Sequence, residues 1–237
     1  MRNPRIAFFD VDETLVAAKS MLSFWNFWQR ESGAGKPGRP APIPLERLLE
    51  LPREEANRAY YRYFAGVRRT ELLAAGRRWY RAARDTDAVF LPATLDRLRL
   101  HQRQGFRIVL VSGSLRACVD PIAEAVGADR VLCTEQAVTR DGVLTGGLIR
   151  AMIGSAKARA VAEVLDAWNA DAGNCYAYGD HPSDLPMLRA VGHPVVVGQH
   201  RQHTELATIA LTEGWPTLPA APAGDRRPVA AVRTGHR

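Results

Sequence analysis

Apolar residues fall along this chain in two rhythms. The first is a run of four, Ile-Ala-Phe-Phe at residues 6–9, that stops at an acidic pair. It reads as a buried strand whose carboxyl end carries Asp10 and Asp12. Residues 21–30 instead set Met21, Leu22, Phe24, Trp25, Phe27 and Trp28 at helical spacing, which gives a broad apolar face. Glycine and proline then crowd residues 33–44, a density that breaks helix and strand alike and predicts a loop. Residues 45–51, 54–67 and 70–84 carry helical patterns rich in arginine and aromatics. No alternating strand pattern interrupts them, so the stretch predicts an all-helical unit inserted after the first strand.

From Pro92 helix and strand alternate. A helix over 93–104 closes at Gly105, and a strand over 107–111 ends at Ser112-Gly113-Ser114. A helix over 115–126 is capped by Gly127, a short strand follows at 130–133, and a hairpin turns around Asp141-Gly142 within 138–148. Residues 156–168 and 183–190 read as helices, 175–178 and 194–197 as strands. This alternation predicts an α/β fold with a parallel sheet covered on both faces. Residues 1–16 and 91–215 are then the core domain and 17–90 the inserted helical one. Beyond Trp215 the Pro/Ala/Arg composition leaves little to bury, and 216–237 read as a mobile tail.

Composition changes this picture in three places. No run approaches the roughly 20 apolar residues of a membrane span, and the apolar start reaches Asp10 too soon for a signal peptide, so a cytoplasmic protein is expected. Cys118, Cys133 and Cys175 are odd in number and widely spaced, which predicts reduced, buried thiols and neither a disulfide framework nor a zinc site. The net charge of +7 suits an enzyme that attracts anionic substrates. It comes without a helix-turn-helix, zinc-finger or RNP signature, so nucleic acid is not the expected partner.

Four groups of residues carry candidate chemistry, each after a strand or at a helix start. Asp10-Val-Asp12-Glu-Thr14 can point two carboxylates at one small volume, where they repel unless a hard divalent ion such as Mg2+ lies between them. Taken alone, they read equally as solvated loop acids with Asp12 capping a helix. Ser112-Gly113-Ser114 offers N–H and O–H groups to phosphate oxygens, or a plain strand-to-helix turn. Lys157 opens a helix, where the dipole disfavours a cation unless an anion faces it; alone, it reads as a surface lysine. Gly179-Asp180-His-Pro-Ser-Asp184 adds two acids after a strand: Asp180 could complete a metal site, and Asp184 could support it or open the next helix.

Together and in this order, Asp-x-Asp-x-Thr, the serine motif, the lysine and Gly-Asp-x-x-x-Asp resemble the haloacid dehalogenase superfamily, in its phosphoserine-phosphatase-like branch (subfamily IB). The segment from Asp129 to Leu148 is similar to that branch as well. The resemblance implies a Rossmann-like core with a helical cap of the C1 type over the site, and a Mg2+-dependent phosphatase acting on a small-molecule phosphate ester. It implies Asp10 as nucleophile, Asp12 as general acid and base, and Thr14, Ser112, Gly113 and Lys157 around the phosphoryl group. The metal falls to Asp10, the Asp12 carbonyl, Asp180 and Asp184. A phosphotransferase that uses an alcohol acceptor, or a non-catalytic binding protein on the same scaffold, remains open.

Where the phosphoserine phosphatases carry a glutamate for the substrate's ammonium, this chain has Lys19, which would repel an amine and welcome an anion or hydroxyl. Trp25 and its neighbours could line an apolar pocket or form the cap's own core. Arg62, with Arg58, Arg68 and Arg69, could recognise a second acidic group. His181 is expected to cap its turn. An aromatic-rich cap surface could also pair two copies into a homodimer.

Overall fold

The computed structural model describes residues 3–32, 47–48, 50–84, 89–198 and 204–220. The sheet runs β1 (Ile6–Phe9), β2 (Arg107–Leu115), β3 (Arg130–Val138), β4 (Leu144–Arg150), β5 (Tyr176–Gly179), β6 (His193–Val197) and β7 (Thr217–Leu218) in chain order. In space the order is β4-β3-β2-β1-β5-β6-β7, parallel throughout except for the antiparallel β3–β4 pair. The helices are α1 (Ser20–Ser32), α2 (Arg53–Arg62), α3 (Arg69–Arg84), α4 (Pro92–Arg103), α5 (Arg116–Val126), α6 (Ser155–Ala167), α7 (Leu185–Leu188) and α8 (Thr204–Thr212).

The unbroken apolar run of β1 follows from its central place. Ile6 and Phe8 pack with Val161 and Val164 of α6, Met187 of α7 and Leu206 of α8 on one face. Ala7 and Phe9 pack with Leu98 of α4 and Val119 of α5 on the other. Alternate residues of a strand face opposite ways, and here both faces are covered. The chain leaves β1 toward β2 and β3, then returns to the other side of β1 with β5 and β6. A crevice opens at the carboxyl ends of the strands where the order reverses, between β1 and β5.

Helices α1 to α3 are threaded through a narrow gate. Ala17 N–H donates to the Val89 carbonyl at 3.0 Å and Leu91 N–H to the Leu15 carbonyl at 2.9 Å, so departing and returning strands of chain lie side by side. Their interior is aromatic: Phe24, Trp25, Trp28, Tyr60, Phe64 and Trp79 are all buried. Phe24 meets Trp79 edge-on at 6.0 Å and Trp25 meets Phe64 edge-on at 5.7 Å, arrangements that aromatic quadrupoles favour.

Helix α3 packs on α5 at Gly76. A Cβ built there would collide with the backbone carbonyl of Ala117, which cannot move without shifting α5. By helix propensity alone, Gly76→Ala would stabilise by about 1 kcal/mol. Overpacking costs about 1–3 kcal/mol. A net loss of stability is therefore expected in urea unfolding, and a gain would mean that the helices do not approach this closely.

Several sequence expectations are corrected. The helix expected over 54–67 ends at Arg62, because Gly66, at φ 80°, turns its N–H to the Leu144 carbonyl at 2.8 Å and Arg68 bridges to Val143. Pairing with the β3–β4 hairpin outcompetes another helical turn. The strand expected to stop at Val111 continues to Leu115, with a register shift that bulges Ser112 to Ser114. Strand β3 likewise runs on to Val138, because β4 supplies a partner. The helix expected over 183–190 shrinks to a 3-10 turn, Pro182–Asp184, and the single turn of α7. Thr217–Leu218, which composition gives to the tail, pairs with β6 as an edge strand. The loop at 33–44, most of the helix expected at 45–51, and residues 221–237 lie outside the described residues. All three cysteines are buried free thiols. Among the described residues, no helix is long and apolar enough to cross a membrane.

Candidate active site

Asp10 continues the β1 ladder by one residue, its N–H bonding to the Tyr178 carbonyl of β5 at 2.9 Å. That bond fixes it over the crevice. The chain then coils tightly: Leu15 and Val16 both donate to the Val11 carbonyl at 2.9 Å, and Glu13 takes φ 61°, the left-handed region that a side chain enters at a cost. The coil brings Thr14 back so that its hydroxyl donates to Asp180 Oδ1 at 2.7 Å. Thr14 is fully buried and its single O–H is spent there. It positions Asp180 and is not among the residues that line the cavity described below.

Asp12 turns another way. Its Oδ1 accepts the N–H of Ser20 at 3.1 Å, at the first turn of α1, where the helix dipole favours an anion. Burial nonetheless pushes its carboxyl up to about 6, against the Ser20 hydrogen bonds that lower it. A group with that value can both give and take a proton near neutral pH. Its side chain is not part of the acidic cluster described next, which leaves only its backbone carbonyl for the expected metal role.

Beyond β5, His181 Nδ1 accepts the Ser183 N–H at 3.0 Å while its own N–H donates to Asp184 Oδ2 at 3.1 Å. This reciprocal cap folds Asp184 back against the strand end, and His181 caps its turn as expected. The approach is close enough that a Cβ on Gly179 would lie 2.7 Å from Asp184 Cβ, so glycine is required there. Lys157, in the first turn of α6, reaches under the crevice and donates to Asp10 Oδ1 at 2.7 Å and Asp184 Oδ1 at 2.6 Å. It is 2% exposed. Burial disfavours its charge, but the two acids outweigh that and raise its pKa.

Ligand oxygens of Asp10, Asp180 and Asp184 lie within 4.8 Å of one another. Lys157 bonds two of these three carboxylates, and the third, Asp180, has the Thr14 hydroxyl. Burial pushes Asp184 up, but Lys157, Arg53 and the His181 N–H together outweigh it and hold the carboxyl below its ordinary value. Burial raises Asp10 against the pull of Lys157, and burial with repulsion from Asp10 and Asp184 pushes Asp180 up to about 8. Asp10 Oδ2 is buried with no hydrogen-bond partner among the described residues. An all-oxygen donor set, a formal surplus of two negative charges and an orphaned carboxylate oxygen fit a hard divalent cation.

Asp10 connects this cluster to a cavity of about 150 Å³. Asp10, Asp12 and the bulge Ser112-Gly113-Ser114 line it from the sheet; Met21, Leu22, Arg53, Asn57 and Tyr60 line it from the inserted helices. Ser114 Oγ lies 2.8 Å from Ser20 Oγ, tying the bulge to the start of α1. Lys19 stands at the cavity and is paired with Glu13 at 3.4 Å. Trp25, for which pocket lining and cap core were both open, is inside the helical unit against Tyr63 at 4.7 Å, where an aromatic stripe at helical spacing usually goes. Arg62 is exposed at the junction with β4, where its backbone packs by Gly146, and does not line the cavity. Arg53, Asn57 and Ser20 reach the site without having been singled out; helix starts facing the first strand's end were the only signal.

Residues 7–189 match the haloacid dehalogenase-like hydrolase family. The chain belongs to that family. It is 32% identical over 225 residues to the "inhibition of morphological differentiation protein" of Streptomyces azureus, covering 90% of this chain and 77% of that one. It is 38% identical over 133 residues to a "probable phosphatase" of Mycobacterium tuberculosis, covering 56% of this chain and 45% of that one. The hydrolase thus spans under half of that second relative. Among solved structures, a protein of unknown function from Bordetella pertussis Tohama I superposes with a TM-score of 0.78 at 26% identity, over 92% of this chain and all of that one.

Proposed function

We propose that this hydrolase is a Mg2+-dependent phosphatase that cleaves a small-molecule phosphate monoester through an aspartyl-phosphate on Asp10. The observation that carries the reading is the buried cluster in which Lys157 bridges Asp10 and Asp184 beside Asp180. Kinship with proteins named phosphatases agrees with it.

Asp10, Asp180, Asp184 and the Asp12 carbonyl would hold the cation. When bound, Mg2+ offsets the negative charge of the site and of the phosphoryl oxygens. Lys157 fixes the Asp10 carboxylate through Oδ1 and leaves Oδ2 without a hydrogen-bond partner among the described residues. Attack by Asp10 on phosphorus breaks the bond to the leaving oxygen, which takes the proton of Asp12. Asp12 then removes a proton from water as that water attacks the aspartyl-phosphate, which releases phosphate and restores Asp10. Ser112 and the Gly113 N–H would bind phosphoryl oxygens, beside Lys157. Positioning and fixed charge supply most of the acceleration in such transfers.

Residues 17–90 would serve as the cap. The paired chain crossings at 15–17 and 89–91 support that division. The cap lends the cavity an apolar wall from Met21 and Leu22 and two cations, Lys19 and Arg53.

Phosphate release from sugar phosphates, phosphoserine, nucleotides and an aryl phosphate is the test. Turnover of at least one ester is expected with Mg2+ and none with EDTA. Folded protein that releases no phosphate from any ester, yet labels an alcohol acceptor, would move the assignment to a phosphotransferase.

A further inference from the structure

The carbonyl oxygen of Gly113 receives three hydrogen bonds. Asn57 Nδ2 donates at 2.9 Å, the Tyr61 hydroxyl at 3.0 Å and Thr134 Oγ1 at 2.9 Å. A carbonyl has two lone pairs, so three donors leave it no freedom to turn. Thr134 belongs to β3, and its own oxygen is held by the Met152 N–H at 3.1 Å. Asn57 and Tyr61 sit one turn apart on the same face of α2, and both are buried.

The other side of the same peptide faces the chemistry. In a trans peptide the C=O of Gly113 and the N–H of Ser114 point in opposite directions. That N–H donates to Ser112 Oγ at 3.1 Å. A serine hydroxyl has one proton and two lone pairs. Accepting from Ser114 orients the oxygen and leaves the O–H of Ser112, which lines the cavity, to donate to an anion. Donors on the carbonyl also polarise the peptide and strengthen its N–H as a donor.

We propose that Asn57 and Tyr61 are positioning residues that act through the Gly113–Ser114 peptide to aim the Ser112 hydroxyl at the phosphoryl group. The inserted helix α2 thereby sets a phosphate contact that it never touches. The proposal rests on the assignment of Ser112 to phosphate made above. Tyr61 isolates the effect, because it does not line the cavity and can influence a bound anion only through its partners.

The experiment is a mutant cycle read with inorganic phosphate in Mg2+. Its dissociation constant is taken from phosphate-dependent shifts of the thermal midpoint, beside KM and kcat for an aryl phosphate. Tyr61→Phe/Asn57→Ala is expected to weaken phosphate about tenfold, the worth of one charge-assisted hydrogen bond. In a Ser112→Ala background the same pair of changes is expected to weaken it no further. An equal loss in both backgrounds would show that α2 acts elsewhere, and no loss in the wild-type background would show that the clamp orients nothing; either overturns the proposal. If Ser112→Ala alone leaves phosphate affinity intact, the role of Ser112 itself is wrong and the proposal falls with it, while Mg2+-dependent turnover still stands or fails on the ester panel. Tyr61→Phe alone keeps the ring packed and carries the same comparison should the double variant not fold.

Discussion

Asp10→Asn is expected to lower kcat about 10³-fold or more while leaving the fold as stable as before or more so. The two halves of that expectation come from different physics. Loss of a nucleophile removes the covalent route altogether, and such losses exceed those from any single binding contact. Stability moves the other way because Asp10 is one of three clustered acids, two of which bond a single lysine, and burial already raises its pKa. An amide of the same shape still offers Oδ1 to Lys157, which keeps Asp184 as its charged partner. It also removes repulsion on Asp180. Kinetics and a thermal midpoint, both in EDTA and in Mg2+, check the claim. Retained turnover would remove Asp10 from the nucleophile's place. A collapse in stability would instead mean that its charge holds the core together.

Much of this site was legible in the chain because it is built on strand ends. An apolar run that stops at Asp10, Ser112 or Asp180 marks where a parallel sheet delivers side chains to the crevice, and the register Ile6 to Arg107 and Ala7 to Tyr176 sets the ends level. Lys157 was legible for another reason, a cation in a helix's first turn that calls for an anion. The bulge at Ser112–Ser114 was not. A serine-glycine pair reads as a turn, and only the partner strand β3 reveals that the chain stays extended. The inserted helices were legible as helices but not in their facing. Trp25 and Asn57 both follow helical spacing, yet one turns into the aromatic interior and the other onto Gly113. That choice depends on how α1, α2 and α3 pack against one another, which periodicity does not encode. Lys19 shows the same limit in charge: its meaning changes once Glu13, bent by its left-handed φ, is found beside it.

Lys157→Met is expected to lose activity and, in EDTA, about 3–5 kcal/mol of stability, the cost of breaking a buried ion pair from one side. Methionine fills the volume of the alkyl stem, so packing is nearly conserved and the loss is electrostatic. Asp184 is fully buried, and Asp10 is nearly so. Without the ammonium, the one hydrogen bond left to their side chains among the described residues is from the His181 N–H to Asp184 Oδ2. A divalent cation that binds the folded state should restore part of the loss, by about 2.7 kcal/mol at a hundredfold excess over its dissociation constant. It should not restore turnover, because a cation among the three acids replaces Lys157 as a counter-charge but not as a donor beside the phosphoryl group. Urea titrations of wild type and variant in EDTA and in Mg2+ separate these roles. A variant as stable as wild type in EDTA would show that the acids protonate and need no counter-charge. A variant rescued by Mg2+ in activity as well as in stability would make Lys157 a structural strut alone.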